Sequence, residues 1–256
     1  MGGAYYNDND RGCADQLLDA IEARLIPDGD VDERSIVDLR PEDLSGYTQC
    51  HFFAGNGGWP YALRRARWPD DRPVWTGSCP CQPFSTSGLR RGFADSRHLW
   101  PAWFRLIGEL RPDTLFGEQS ANAGAWLDLV SADLEDIGYA FAAPDLPAAG
   151  FGGFHIRQRL FWVADAHNAE WWSDRAPRNI GDWAPTGWDK GASHIGECSP
   201  ADWIRRSDGR LLPVEAGTRP MAPEAPGRVR LMRGYGNGLD SETAVNLVAA
   251  FLDAAP

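Results

Sequence analysis

The stretch from Tyr47 to Trp68 constrains the fold more than any other part of this 256-residue chain. Tyr47 to Phe53 is a short β-prone run, Ala54-Gly55-Asn56-Gly57-Gly58 is a glycine turn, and Trp59 to Trp68 can form a helix begun by Pro60. Strand, glycine turn and helix in that order make the unit from which parallel sheets are built. The same alternation continues, with strands expected at 73–77, 113–117, 139–143 and 159–163 and helices at 97–110 and 123–137. Ahead of it, Ala14, Leu17, Leu18, Ile21 and Leu25 lie at helical spacing within 12–25, and Pro27-Asp28-Gly29 reads as a stop. At the other end Ala244, Val245, Leu247, Val248, Phe251 and Leu252 set a closing helix over 241–252, with Asp240 or Ser241 placed to cap it. The pattern predicts an α/β fold with a parallel sheet.

At this length one main core is expected, with a small appendage. The composition breaks at about residue 166. From there to 233 lie five of the twelve tryptophans, seven of the nineteen prolines and seven glycines, without sustained periodicity. A small lobe at 166–233 is therefore expected beside a main domain of 1–165 completed by 234–256. No apolar run approaches the roughly 18 residues of a membrane span, and MGGAYYNDND carries neither a basic nor an apolar leader segment. A monomeric cytoplasmic protein without membrane contact is the expectation. Five cysteines without paired C-x-x-C spacing indicate neither a disulfide framework nor a zinc site.

The net charge of −11 argues against a nucleic-acid partner only on average. Residues 1–45 hold twelve acids and four arginines, whereas 61–112 hold nine arginines and four acids. Twenty-four of the 25 basic residues are arginine, which suits bidentate phosphate contacts and follows equally from GC-rich codon usage.

The candidate chemistry begins at Pro80-Cys81-Gln82, directly after an expected strand, which puts Cys81 where open α/β sheets place their ligands. A lone cysteine is more often an inert core residue; its neighbours single this one out. Gly77-Ser78-Cys79-Pro80-Cys81-Gln82-Pro83-Phe84-Ser85 resembles the catalytic motif of the DNA cytosine-5 methyltransferase family. Residues 88–97 are similar to that family's mobile active-site loop, and Phe116-Gly117-Glu118-Gln119-Ser120 resembles the strand ending in its Glu-Asn-Val motif, with Gln119 and Ser120 departing from it. His155-Ile156-Arg157-Gln158-Arg159 resembles the two-arginine motif, with His155 where glutamine is usual, and Gly236-Asn237-Gly238 resembles the closing Gly-Asn motif. Five matches in family order, from 77 to 239, are specific together, and the arrangement is similar to short phage and prophage members.

The resemblance implies a Rossmann-like S-adenosylmethionine-dependent methyltransferase sheet with a small, irregular target-recognition lobe. Cytosine C5 is a poor nucleophile until a thiolate adds to C6, and Cys81 is the implied thiolate. Charge gathering on the ring must be met at N3 and O2; the resemblance assigns N3 to Glu118 and O2 to Arg159, with Arg157 beside it. None of these groups reaches a stacked base, so the cytosine must be flipped out of double-stranded DNA. In the 85–97 loop Ser87 could fill the vacated space and Ser85 could contact the DNA, while Arg90, Arg91 and Arg97 could hold phosphate.

On the cofactor side, Phe53, Gly55, Gly57 and Gly58 are similar to the family's S-adenosylmethionine turn, with Pro80 and Asn237 lining the same pocket; no metal is implied. Two strands expected between that turn and Pro80 are missing. Tyr6-Asn7-Asp8-Asn9-Asp10 and Gly29-Asp30-Val31 resemble them, moved ahead of the turn. Asp8 would hold the ribose, Asn9 would lie against the adenine and Asp30 would approach its amino group, with Asp32 or Ser35 as alternatives to Asp30. The expectation is a local shuffle, with chain order second, third, first and fourth strand in one unchanged sheet. If crossovers stay right-handed, the helix after the glycine turn should then change face. A lobe of 68 residues implies a recognition sequence of about two to four base pairs. The expected activity is phage- or prophage-encoded methylation that masks cytosines from restriction. Cytosine-5 methylation of tRNA, transfer of another one-carbon group, or a non-catalytic DNA-binding relic are the alternatives.

Overall fold

The computed structural model describes residues 2–80, 99–147, 158–167, 202–205, 211–214 and 239–254. Eight strands form one sheet: β1 (Ala4–Asn7), β2 (Gly29–Asp32), β3 (Gln49–Phe52), β4 (Val74–Gly77), β5 (Thr114–Ser120), β6 (Ala140–Ala142), β7 (Asp145–Pro147) and β8 (Gln158–Asp165). Their order is β2-β1-β3-β4-β5-β8-β6, with β7 alongside β8. The second, third, first, fourth arrangement expected from the sequence is the one observed at β1 to β4. The sheet is not purely parallel. β1 to β5 run parallel, whereas β8 runs antiparallel to β5, β6 and β7. Hydrophobic periodicity carries no strand direction, so the reversal is invisible in the pattern.

Among the described residues five helices cover the sheet: α1 (Arg11–Glu22), α2 (Gly58–Arg65), α3 (Trp100–Leu110), α4 (Gly124–Asp136) and α5 (Ser241–Ala254). Asp10 caps α1 by accepting the backbone N–H groups of Gly12 and Cys13. Asp240, rather than Ser241, caps α5, accepting the N–H of Thr243 at 2.9 Å and its hydroxyl at 2.7 Å. Tyr6, His51, Thr76 and Phe116 stand level across four strands on one face of the sheet. That face is covered by Leu17 of α1, by Trp59 and Leu63 of α2, and by Leu247 and Phe251 of α5. Tyr5, Cys50, Trp75 and Leu115 stand level on the opposite face. They are covered by α3, α4 and the single-turn helices 36–38 and 41–44. There Trp100, Trp103, Trp126 and Trp162 pack in largely edge-on contacts.

These faces fix the hand of each crossover. From β1 to β2 the chain steps one way along the sheet over the first face, through α1. From β3 to β4 it steps the opposite way over the same face, through α2, so the two connections have opposite hands. The links from β2 to β3, from β4 to β5 and from β5 to β6 cross the second face in the direction of α2's step, and therefore share the hand of α1. Since about 98% of such crossovers are right-handed, β3–α2–β4 is the left-handed exception. The expected change of face does not occur. Trp59 stacks on Phe116 at 5.9 Å and meets Phe161 edge-on at 6.0 Å, burying α2 between the sheet and α5.

In the lobe, β9 (Asp202–Arg205) and β10 (Leu211–Val214) pair antiparallel, Arg205 opposite Leu211. The sequence reading found no regular element there, because strands of four residues, one containing Pro213, are too short for a periodic signal. The tryptophans 171, 172, 183 and 188 lie outside the described residues.

Candidate active site

The carboxyl ends of the parallel strands bring the candidate residues to one edge. After β3 the chain turns through Phe53, Gly55 and Gly57 at φ of +50°, +57° and +82°. A side chain at Gly55 would meet nothing within 4 Å, so the turn needs glycine there for its backbone angle and not for space. Phe53 adopts the left-handed region without being glycine and packs edge-on against Trp103 at 6.0 Å. At Gly58 the requirement is space: a Cβ would lie 2.9 Å from that of Leu239. The residue directly following Asn237-Gly238 is thus seated on the glycine turn, although Asn237 itself lies outside the described residues.

Asp8 follows β1 and reaches the same turn. Its Oδ2 accepts the N–H of Gly55 at 2.8 Å and its Oδ1 accepts that of Asp10 at 2.9 Å. Burial pushes the carboxyl above its usual range, against the lowering effect of those two N–H groups. Each oxygen keeps a further lone pair for a ligand hydroxyl. Asn9 is exposed. Asp30 lies lower, opposite Tyr5 within β2, and its carboxylate accepts the Tyr47 hydroxyl at 2.6 Å. The residue at the ligand end of β2 is Asp32, level with Asn7 and bound by the Tyr5 hydroxyl at 2.6 Å and by Arg34. Asn7 donates to the carbonyls of Asp32 and Arg34 at 3.0 and 2.8 Å, fixing the turn that leads to Ser35.

One strand beyond β3, β4 delivers Ser78-Cys79-Pro80; Cys81 lies outside the described residues. Trp59 Nε1 donates to Ser78 Oγ at 3.1 Å, and Gln119 Nε2 donates to the Cys79 carbonyl at 3.1 Å. Glu118 and Arg159 meet on the neighbouring strands. Arg159 stands opposite Ser120 across the β5–β8 ladder, two residues from Glu118 on the same face, and its Nε lies 2.6 Å from Glu118 Oε1. Glu118 is 7% exposed and lies inside a strand longer than the sequence pattern indicated, so it is a buried ion-pair partner and not a strand-end cap. Gln119 and Trp59 were not singled out by sequence reasoning. The signal for Gln119 was its departure from the usual Glu-Asn pair. Ser85, Ser87, Arg90, Arg91, Arg97 and Arg157 also lie outside the described residues.

Two cysteine side chains nearby are buried, Cys50 and Cys79. Desolvation pushes Cys50 up to about 12, which makes it inert as a nucleophile at neutral pH. Among the described residues no group of His, Cys, Asp or Glu is arranged to hold a metal ion, and no helix is long and apolar enough to cross a membrane.

A Rossmann-like sheet with a glycine turn, an acid after the adjacent strand and a buried carboxylate–guanidinium pair beside the next is a methyltransferase architecture. Residues 52–182 match the family described as C-5 cytosine-specific DNA methylase, and the chain belongs to that family. It is 31% identical over 99 residues to the type II methyltransferase M.HhaI of Haemophilus parahaemolyticus, covering 36% of this chain and 30% of that protein. It is 33% identical over 95 residues to the type II methyltransferase M.AplI of Arthrospira platensis, covering 36% and 28%. The chain thus matches less than a third of the length of these relatives. Among solved structures it is similar to the Dnmt2 methyltransferase of S. pombe, with a TM-score of 0.45, 15% identity, and coverage of 76% of this chain and 57% of that one.

Proposed function

We propose that this protein transfers a methyl group from S-adenosylmethionine to C5 of a cytosine flipped out of double-stranded DNA, within a short recognition sequence. The observation that carries this reading is the Glu118–Arg159 pair, 2.6 Å apart at the ligand end of β5 and β8, one strand from the segment that leads into Cys81. In this reading the Cys81 thiolate adds to C6, forming an S–C bond as the C5–C6 π bond opens and its electron pair moves to C5; once C5 carries the methyl group, loss of the C5 proton restores the double bond and expels the thiolate. Glu118 meets N3 and supplies the proton that neutralises it, while the guanidinium of Arg159, with Arg157, meets O2. Ser85, Ser87, Arg90, Arg91 and Arg97 are proposed to face the DNA, and 166–233 to read its sequence.

S-adenosylmethionine, when bound, supplies an electrophilic methyl group. The residues present suit it. Phe53, Gly55, Gly57 and Gly58 bring backbone to the ligand end beside the start of α2, and Asp8 offers carboxylate lone pairs for ribose hydroxyls. Pro80 and Asn237 are proposed to line the same pocket. At the adenine edge Asn9 and Asp30 were proposed from the sequence; the placement of Asp32 at the strand end makes it the stronger candidate of the two acids.

The test is transfer of tritium from labelled S-adenosylmethionine to duplex DNA and, separately, to tRNA. Label in DNA alone, abolished by Cys81→Ser, is the expected result, and bisulfite sequencing of DNA from an expressing host then gives the recognised bases. Label in tRNA alone would replace the substrate, and label in neither would leave a DNA-binding protein without catalysis.

A further inference from the structure

We infer that Gln119 is a positioning residue for the nucleophile: it ties the strand carrying Glu118 to the backbone that presents Cys81. The inference rests on the reading just proposed. The ladder between β4 and β5 ends at the Gly77–Gly117 pair. Beyond it β5 runs on to Ser120 against β8, while the chain leaving β4 parts from the sheet at Ser78. The gap that opens is bridged by a side chain. Gln119 is 2% exposed, and its Nε2 donates to the carbonyl of Cys79, itself 3% exposed, at 3.1 Å.

The direction of that amide is fixed by its other end. Gln119 Oε1 accepts the N–H of Ser120 at 3.0 Å, so the NH₂ group must be the end turned toward Cys79. The bond lands two residues before Cys81, with Pro80 between, whose ring removes one backbone rotation. Successive strand residues point to opposite faces, so Glu118 turns to Arg159 while Gln119 turns to Cys79. Glu118 and the segment that leads into Cys81 are thereby linked through one peptide unit, one side chain and one hydrogen bond. Without that bond the Cys79 carbonyl would settle elsewhere, and the segment ahead of Cys81 would shift with it.

The experiment is the rate of covalent adduct formation on a duplex carrying 5-fluorocytosine at the methylated position, for the full chain with S-adenosylmethionine. Gln119→Met keeps the length of the side chain and removes the donor; Gln119→Asn keeps an amide one methylene shorter. Gln119→Met is expected to slow adduct formation about ten- to a hundred-fold, with the cofactor Kd and DNA KM within about two-fold of the parent, and Gln119→Asn to recover part of the rate. An unchanged rate in Gln119→Met overturns the inference. So does a slow rate accompanied by equal losses in cofactor and DNA binding and no recovery in Gln119→Asn, which marks a merely structural residue. If the parent protein forms no adduct, the underlying reading fails rather than the role of Gln119 within it.

Discussion

The two halves of the sheet reach their ligand edge by different routes. Through β4, β5 and β8 the matched motifs keep the family's chain order, and Glu118, Arg159 and the segment that leads into Cys81 come from adjacent strands. Through β2, β1 and β3 the chain order is permuted, yet Asp8 still reaches Gly55 at 2.8 Å because their strands are neighbours. The difference teaches that a site of this kind depends on which strands are adjacent and in what register, and tolerates a change in the order of synthesis. The cost of the permutation falls on one connection, the left-handed β3–α2–β4 crossover, which is retained where Trp59 and Leu63 find their core.

If the halves divide the work in this way, variants in each should fail differently. The largest effect is expected from Cys81→Ser. It should lower methyl transfer by about a thousand-fold or more while leaving cofactor affinity, measured calorimetrically with S-adenosylhomocysteine, intact; a parallel loss of both would merge the halves. Arg159→Ala comes next. It removes the guanidinium from a buried carboxylate, and breaking such a pair costs at most about 3–5 kcal/mol, read by urea denaturation beside a loss of transfer. Asp8→Ala should act on the other half, weakening cofactor binding by about ten- to a hundred-fold through the loss of charged hydrogen bonds, with DNA binding in a gel-shift assay unchanged.

A further effect, on stability alone, is a pH dependence at the seam between the halves. His51 is fully buried under α1 and α2, stacked on Tyr6 and bonded through Nδ1 to Thr76 Oγ1 at 2.8 Å. Burial pushes its pKa down to about 3, so the unfolded chain takes up a proton near pH 6.5 that the folded one refuses. Stability should therefore be level above that pH and fall below it by about 1.4 kcal/mol per unit. Denaturation midpoints of the parent and of His51→Gln between pH 4 and 8 check this, the variant being expected to lose the slope.

Much of this was legible in the sequence. The five helices and the strands β3 to β6 and β8 follow from periodicity and caps, and the motif spacing gave Cys81, Glu118 and Arg159 their order. The permuted strand order could be read because Asp8 and the 29–31 segment carried recognisable residues out of place. What escaped was set by relations between strands. The reversal of β8, the height of Asp30 below Asp32, and the persistence of α2 on its face depend on pairing and packing, to which a local window is blind. Gln119 was noticed only as an oddity, because a side-chain bond to a backbone 40 residues away leaves no periodic trace.

The most direct test of the account is to isolate the adduct formed with a 5-fluorocytosine duplex and map the attached residue by peptide mass spectrometry. The account requires the base to be linked through the sulfur of Cys81. Linkage through Cys79, or no linkage while methyl groups are still transferred, would contradict it.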